Sequence, residues 1–205
     1  MSGLFITFEG IEGAGKTTQI RLLREYFQTQ GKTVFTTREP GGDPVAEALR
    51  AVVLAADAPV TPITELLVFL AARAQHAERV LLPHLQAGEI VLCDRYIDST
   101  VAYQGYARGH DLEWVRRLNA FVTDNLTPAL TILLDLPVES GLSRQSDRNR
   151  MEAETLDFHQ RVREGYLSEA RLFPERIRVV DAASSVEAIH AEILREVQEA
   201  IRDAG

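Results

Sequence analysis

The sequence predicts an α/β fold, a five-stranded parallel sheet with helices on both faces. Five short apolar runs rich in β-branched residues recur along its 205 residues: LFITFE (4–9), TVFTTR (33–38), EIVLCD (89–94), LTILLDL (130–136) and RIRVVDA (176–182). Several lack the polar alternation of a half-wet strand, as expected when both faces are covered. Helical patterns separate them, and strands alternating with helices imply parallel pairing through crossovers.

Each element follows from local chemistry. The first run enters a glycine-rich segment and then a helix, where Ile20, Leu23 and Phe27 repeat near helical spacing until Gly31 supplies a stop. The second run ends at Arg38, before the turn residues Pro40-Gly41-Gly42. Residues 64–87 read as one long helix with a kink at Pro83. Further helical stretches cover 111–125, 137–145, 152–172 and 185–202. No repeat, low-complexity tract or linker divides the chain, so a single domain over 1–205 is expected, with a polar lid segment at about 143–154. Ligands of such sheets sit beyond the carboxyl ends of the strands, which directs attention to the residues after each run.

Composition excludes several classes. A formal net charge of -8 argues against a broad basic face for nucleic acid, although local arginines and backbone amides can still hold a small anion. No apolar run is long enough to span a bilayer. The opening MSGLFITFEG lacks the pattern of a secretory leader, and the lone Cys93 has no partner for an internal disulfide. A cytoplasmic protein without nucleic-acid or membrane partners is the expectation.

FEGIEGAGKTT (8–18) carries the most chemistry. Gly10, Gly15, Lys16 and Thr17 fit the phosphate-loop pattern G-x-x-x-x-G-K-[ST], with a strand before and a helix after. Glycines let the backbone approach phosphate oxygens and aim N–H groups at them. Lys16 adds charge at the β/γ-phosphates and is expected at the ligand face rather than packed. Thr17 offers a hydroxyl to Mg2+, and the helix start adds its positive end. The competing explanation is a tight strand-to-helix turn with an incidental lysine. The reading adopted is a P-loop NTPase that holds a nucleoside triphosphate.

The acceptor is sought in the other segments. Glu12 is either a solvent-facing loop residue or an acceptor for a sugar hydroxyl or metal-bound water. Arg38, at a strand end, suits a phosphate. In CDRY (93–96), Asp94 is placed to hold the Mg2+ shell and Arg95 to clamp a phosphate, against the plainer reading of a surface ion pair. Phe69 and Arg73 share a helix face and suit a nucleobase by stacking and hydrogen bonding, although a phenylalanine there also suits a core. Arg144, Arg148 and Arg150 bracket SDRNRMEAE (146–154), either a solvated charged loop or arginines brought to the transferring phosphoryl.

Together these residues resemble the thymidylate kinase family, through FEGIEGAGKTT, TREPGG (37–42), FLAARAQH (69–76), CDRYIDSTVAYQGYARG (93–109) and the arginines at 144–150. The resemblance spans essentially the whole chain. It implies a homodimeric enzyme that converts dTMP to dTDP with ATP and Mg2+. By this resemblance Gly10, Ile11, Glu12, Gly13, Ala14, Gly15, Lys16, Thr17 and Thr18 bind ATP, and Thr17 and Asp94 serve Mg2+, partly through water. Arg38, Arg50 and Arg95 surround the acceptor phosphate. Phe69 stacks on thymine, while Arg73, Ser99, Thr100 and Gln104 serve the base and its surroundings. Tyr103 presses near the sugar 2′ position, Glu12 accepts from the 3′-hydroxyl, and residues 181–186 lie near adenine. With Gly13 and Ala14 where some members carry an arginine, the chain resembles the bacterial type with catalytic lid arginines. The expected catalytic set is Lys16, Arg95, Arg148 and Arg150, and truncating the last two is expected to cost little stability. An arginine at position 13 would fit only if φ there is not positive. Two competitors remain: another P-loop nucleoside monophosphate kinase, and an NTP-driven switch without an acceptor.

Overall fold

Why three of the five runs lack alternation is clear from the sheet they form. The computed structural model describes residues 3–55, 59–144 and 149–203. Strands β1 (Leu4–Glu9), β2 (Val34–Arg38), β3 (Ile90–Asp94), β4 (Leu130–Asp135) and β5 (Ile177–Asp181) are parallel, in the order β2-β3-β1-β4-β5. The three central strands are buried on both faces, whereas the edge strand β5 buries Ile177 and Val180 and exposes Val179 and Asp181. Ile6, Phe8 and Leu92 enter one apolar layer with Ile132 and Leu134; Phe5, Val91 and Cys93 enter the other, with Leu81, Leu85 and Tyr96. Each large side chain buried there contributes about 1.5–3 kcal/mol relative to exposure.

Register makes the site. Phe8 of β1 and Arg38 of β2 both align with Asp94 of β3, so three strand ends open at one level. From β1 the chain crosses over β3 to β2, and after β3 it passes to the other side of β1 to form β4. That reversal is the crevice where open α/β sheets bind ligands.

Helix α1 (Lys16–Thr29) begins at Gly15 and buries Ile20, Leu23 and Phe27 as the spacing requires. Helix α2 (Pro44–Leu54) is absent from the sequence expectations, yet its start is chemically marked: Asp43 accepts from the Val45 amide at 2.8 Å and Pro44 stands in the first turn. The expected helix 64–87 is α3 (Pro62–His76), a π-helical turn (Ala77–Leu81) and α4 (Leu82–Gln86) in continuous helical backbone. Pro83 has no N–H to donate to the preceding turn, and the π-helical turn lies directly before it in the chain. After β3 come α5 (Ile97–Thr100) and a second π-helical segment (Val101–Ala107), also unforeseen because this stretch is buried nearly all round and shows no one-sided periodicity.

The remaining helices are α6 (Leu112–Val122), α7 (Val138–Leu142), α8 (Leu156–Leu172) and α9 (Val186–Asp203). Of these, α6, α7 and α8 are shorter than expected, whereas α9 has the expected length of 18 residues, shifted by one. Asp124 and Asn125, both at positive φ, follow the end of α6, and Thr155 caps α8 through the Phe158 amide. No described helix is long and apolar enough to cross a membrane.

Candidate active site

The loop between β1 and α1 is shaped by what its glycines avoid. Gly13 has φ +74°, and a Cβ there would run into the Gly141 carbonyl oxygen of α7. An arginine at this position therefore has neither the backbone conformation nor the room. Ile11 and Ala14 bury their side chains in the core, so they anchor the loop and offer only backbone to a phosphate. Lys16 departs from expectation. It lines the larger cavity but is only 8% exposed, and its Nζ donates to the Gly10 and Ile11 carbonyls at 3.1 and 3.0 Å. Burial, reinforced by Arg95, lowers its pKa against the opposing pull of Asp94, Glu12 and Glu9.

The residues present fit a hard divalent cation. Thr17 Oγ1 donates to Asp94 Oδ2 at 3.5 Å, a long contact that leaves both oxygens available. Asp94 Oδ1 is buried without a hydrogen-bond partner. Among the described residues no group of three or more His, Cys, Asp or Glu forms a metal cage. Mg2+ needs none, because it keeps waters and takes one or two protein oxygens beside substrate phosphates.

Glu12 is no solvent-facing loop residue. Its carboxylate accepts from Arg95 Nη2 at 2.7 Å, and the Tyr103 hydroxyl lies 2.9 and 2.8 Å from its two oxygens. Burial alone would raise its pKa; Arg95, Lys16 and Tyr103 outweigh that and hold it below the ordinary carboxylate value. Arg95 adopts φ +69°, a conformation uncommon outside glycine, and so turns its side chain along the cavity. Its other guanidinium nitrogen meets Tyr166 Oη at 2.9 Å and Ser99 Oγ at 3.3 Å. Ser99 and Tyr166 in turn donate to Glu9 at 2.6 and 2.9 Å.

Glu9 was not foreseen as a site residue. It is wholly buried, also accepts from the Tyr96 and Ser99 amides, and its carboxyl is pushed up to about 7, chiefly by burial. Its position inside an apolar run concealed it.

A cavity of about 410 Å3 brings together Lys16, Thr17, Arg38, Arg50, Phe69, Arg73, Asp94, Arg95, Ser99, Thr100, Tyr103 and Gln104. Phe69 is half-buried at its wall and belongs to none of the apolar core clusters, which favours the stacking reading over the core reading. Arg38 is held by Glu47 at 2.9 and 3.0 Å, and Arg50 donates to the Pro40 carbonyl at 2.8 Å. Burial and, after it, the nearby Arg38 lower the Arg50 pKa against the opposing pull of Glu47 and Asp94.

Arg73 is more committed than a base-binding residue alone. It is buried and donates to Glu39 (2.7 Å), Thr100 (2.6 Å), Asn119 (2.6 Å) and the Tyr96 carbonyl (2.8 Å), leaving one of its five N–H groups for a ligand. Glu39, from TREPGG, also meets His76 at 2.9 Å and is a second buried carboxylate that sequence reasoning missed.

The three lid arginines divide. Arg144 donates to the Gly13 carbonyl at 2.9 Å, so it touches the phosphate loop. Arg148 lies outside the described residues. Arg150 is mostly buried and donates to Glu65 at 2.7 Å and to the Val53 carbonyl at 2.9 Å. The expectation that truncating it costs little stability is corrected by those contacts. As placed, its guanidinium serves Glu65 rather than a phosphoryl group. Asn149, Met151 and Glu152 of the same segment line the cavity without having been foreseen.

A second cavity, of about 340 Å3, adjoins the phosphate loop between Gly13, Thr18 and Arg144 on one side and Ala182, Ser184 and Val186 on the other. Three members of the 181–186 segment thus line a pocket continuous with the loop.

Comparison with known proteins gives one consistent result. The profile of the family described as thymidylate kinase matches residues 8–193. The chain is similar to thymidylate kinases of Citrifermentans bemidjiense (51% identical, 99% of this chain and 96% of that one) and Bacillus pumilus (47% identical, 98% of each). It is also similar to the crystal structure of a thymidylate kinase from Ehrlichia chaffeensis, with TM-score 0.81 and 35% identity over 96% of this chain and 100% of that one.

Proposed function

The chain belongs to the thymidylate kinase family, and from that premise we propose that it moves the γ-phosphoryl group of ATP to the phosphate of dTMP, giving ADP and dTDP. It is a phosphotransferase, and the observation that carries the finer reading is the single cavity that joins the phosphate loop to Phe69, Arg73 and Gln104. One end suits polyphosphate; the other offers a ring, a guanidinium and an amide to a base.

The acceptor phosphate is already an anionic nucleophile, so no covalent enzyme intermediate is needed. The protein's task is to hold two anions in line and offset their repulsion. Arg38 and Arg50 receive the acceptor phosphate, and Arg95 stands between that phosphate and Glu12. The ionised Glu12 accepts the sugar 3′-hydroxyl. Tyr103, clamped to Glu12, fills the space where a ribose 2′-hydroxyl would stand. Lys16 and the loop amides hold the β- and γ-phosphates, while Arg144, which touches the loop, supplies further positive charge; the role expected of Arg148 falls outside the described residues. Thr17 and Asp94 would hold Mg2+, which would supply positive charge against the phosphates. The 182–186 wall receives adenine.

A homodimer through α3 and α6 accompanies this reading, since these neighbouring helices expose Ile63, Leu67, Trp114 and Phe121. A cytoplasmic enzyme of deoxynucleotide biosynthesis is the setting proposed. The test compares dTMP, UMP and AMP as acceptors with ATP and Mg2+. Strong preference for dTMP is expected; preference for either of the others would reject the acceptor assignment.

A further inference from the structure

Two residues of the site, Gln104 and Arg150, converge on one carboxylate that has so far had no part in the chemistry. Glu65, in the first turn of α3, is wholly buried. Its Oε1 accepts from Gln104 Nε2 at 2.9 Å and from Arg108 Nε at 3.1 Å. Its Oε2 accepts from Arg108 Nη2 at 2.9 Å and Arg150 Nη2 at 2.7 Å. Burial alone would raise the pKa, but the donors from Arg108, Gln104 and Arg150 outweigh it and keep the group below the ordinary carboxylate value.

An ionised carboxylate can only accept. It therefore takes the NH2 end of the Gln104 amide and leaves the carbonyl oxygen for the cavity that Gln104 lines. The reversed amide would set oxygen against oxygen in a buried place.

We propose that Glu65 is a positioning residue for acceptor-base selection, fixing the Gln104 amide so that its oxygen faces the base. This rests on the thymidylate kinase reading and adds to it a device for discrimination. A pyrimidine with N–H at ring position 3, as in thymine and uracil, donates to that oxygen. Cytosine presents an unprotonated ring nitrogen there, so acceptor meets acceptor and both buried groups stay unpaired.

The test reads kcat/KM for dTMP, dUMP and dCMP. In Glu65→Gln, residue 65 can donate as well as accept, so both orientations of Gln104 become available. The dTMP/dCMP ratio is expected to fall at least about tenfold, whereas the dTMP/dUMP ratio, set by two bases sharing the N–H, stays within about twofold. Gln104→Leu is expected to lose the dTMP/dCMP ratio to a similar extent, and adding Glu65→Gln to it should cause no further fall. A purely structural Glu65 would instead lower activity on all three acceptors alike, and an unchanged dTMP/dCMP ratio in folded Glu65→Gln overturns the proposal. Should that variant not fold, Glu65→Asp, still acceptor-only, is expected to keep the ratio while raising KM; loss of the ratio there, or its retention in Gln104→Leu, overturns the proposal equally. Failure of the underlying reading would appear in the wild type as preference for another nucleotide, whereas failure of this proposal appears only in the variants.

Discussion

Lys16 is the residue where charge and backbone meet most closely. Its ammonium already draws two loop carbonyls together, so it both shapes the phosphate loop and lends it charge. Lys16→Ala is expected to lower kcat by about 10²–10³-fold, the size of effect seen on removing one pre-organised donor from a transition state. Stability should change by at most about 1–2 kcal/mol, because the carbonyls it leaves lie beside the cavity and can be hydrated. Steady-state kinetics with a thermal melt of the same sample checks both.

Glu9 makes a prediction of opposite kind. Its carboxyl is raised from 4.5 to about 7 in the folded protein, so folding favours its protonated form. That stabilising contribution is complete below the unfolded value and is lost as pH rises through about 7. Glu9→Gln, which mimics the neutral form, should flatten this part of the profile. Urea midpoints at about pH 5 and about pH 8 are expected to differ less in the variant than in the wild type. An identical difference in both would remove Glu9 as the source.

At the scale of elements, ion pairs and Met151, which is buried in the main apolar layer, together tie down segment 149–154. Arg150 joins it to α3 through Glu65 and to α2 through Val53, while Glu154 pairs with Arg108 at 2.6 Å. Arg150→Ala should therefore cost about 1–3 kcal/mol, leaving a buried carboxylate short of a donor. A calorimetric Tm several degrees lower is expected; an unchanged Tm would mean that this tie contributes nothing.

The same elements show which features sequence reasoning could reach. The sheet and phosphate loop were legible because period, β-branching and glycine placement are local consequences of backbone geometry. Asp94 and Arg95 were legible because strand ends can be counted. Glu9, Glu39 and Glu65 were not, since each is defined by partners far away in the chain. Helix α2 carried a readable signal, Asp43-Pro44, that was passed over beside the glycines of TREPGG. Arg150 was misjudged because a charged segment resembles a solvated loop until its partner on another helix is known.

At the scale of the molecule, two surfaces matter: the cavity and the apolar face of α3 and α6. Phe121 is 82% exposed, with Trp114 on the same helix 58% exposed. Such a cluster is costly to leave in water, and a second copy covering it would account for both. Phe121→Asp is expected to shift sedimentation from dimer towards monomer, whereas a wild-type chain already monomeric at micromolar concentration would contradict the dimer.

The central claim is that the cavity couples ATP breakdown to a thymidylate acceptor. It is tested most directly by following ADP formation with and without dTMP, with ATP and Mg2+ present and dTDP quantified in the same samples. ADP should form rapidly only with dTMP, with one dTDP for each ADP. ADP release at the same rate without dTMP, or without matching dTDP, would contradict the account and indicate a nucleotide-driven switch.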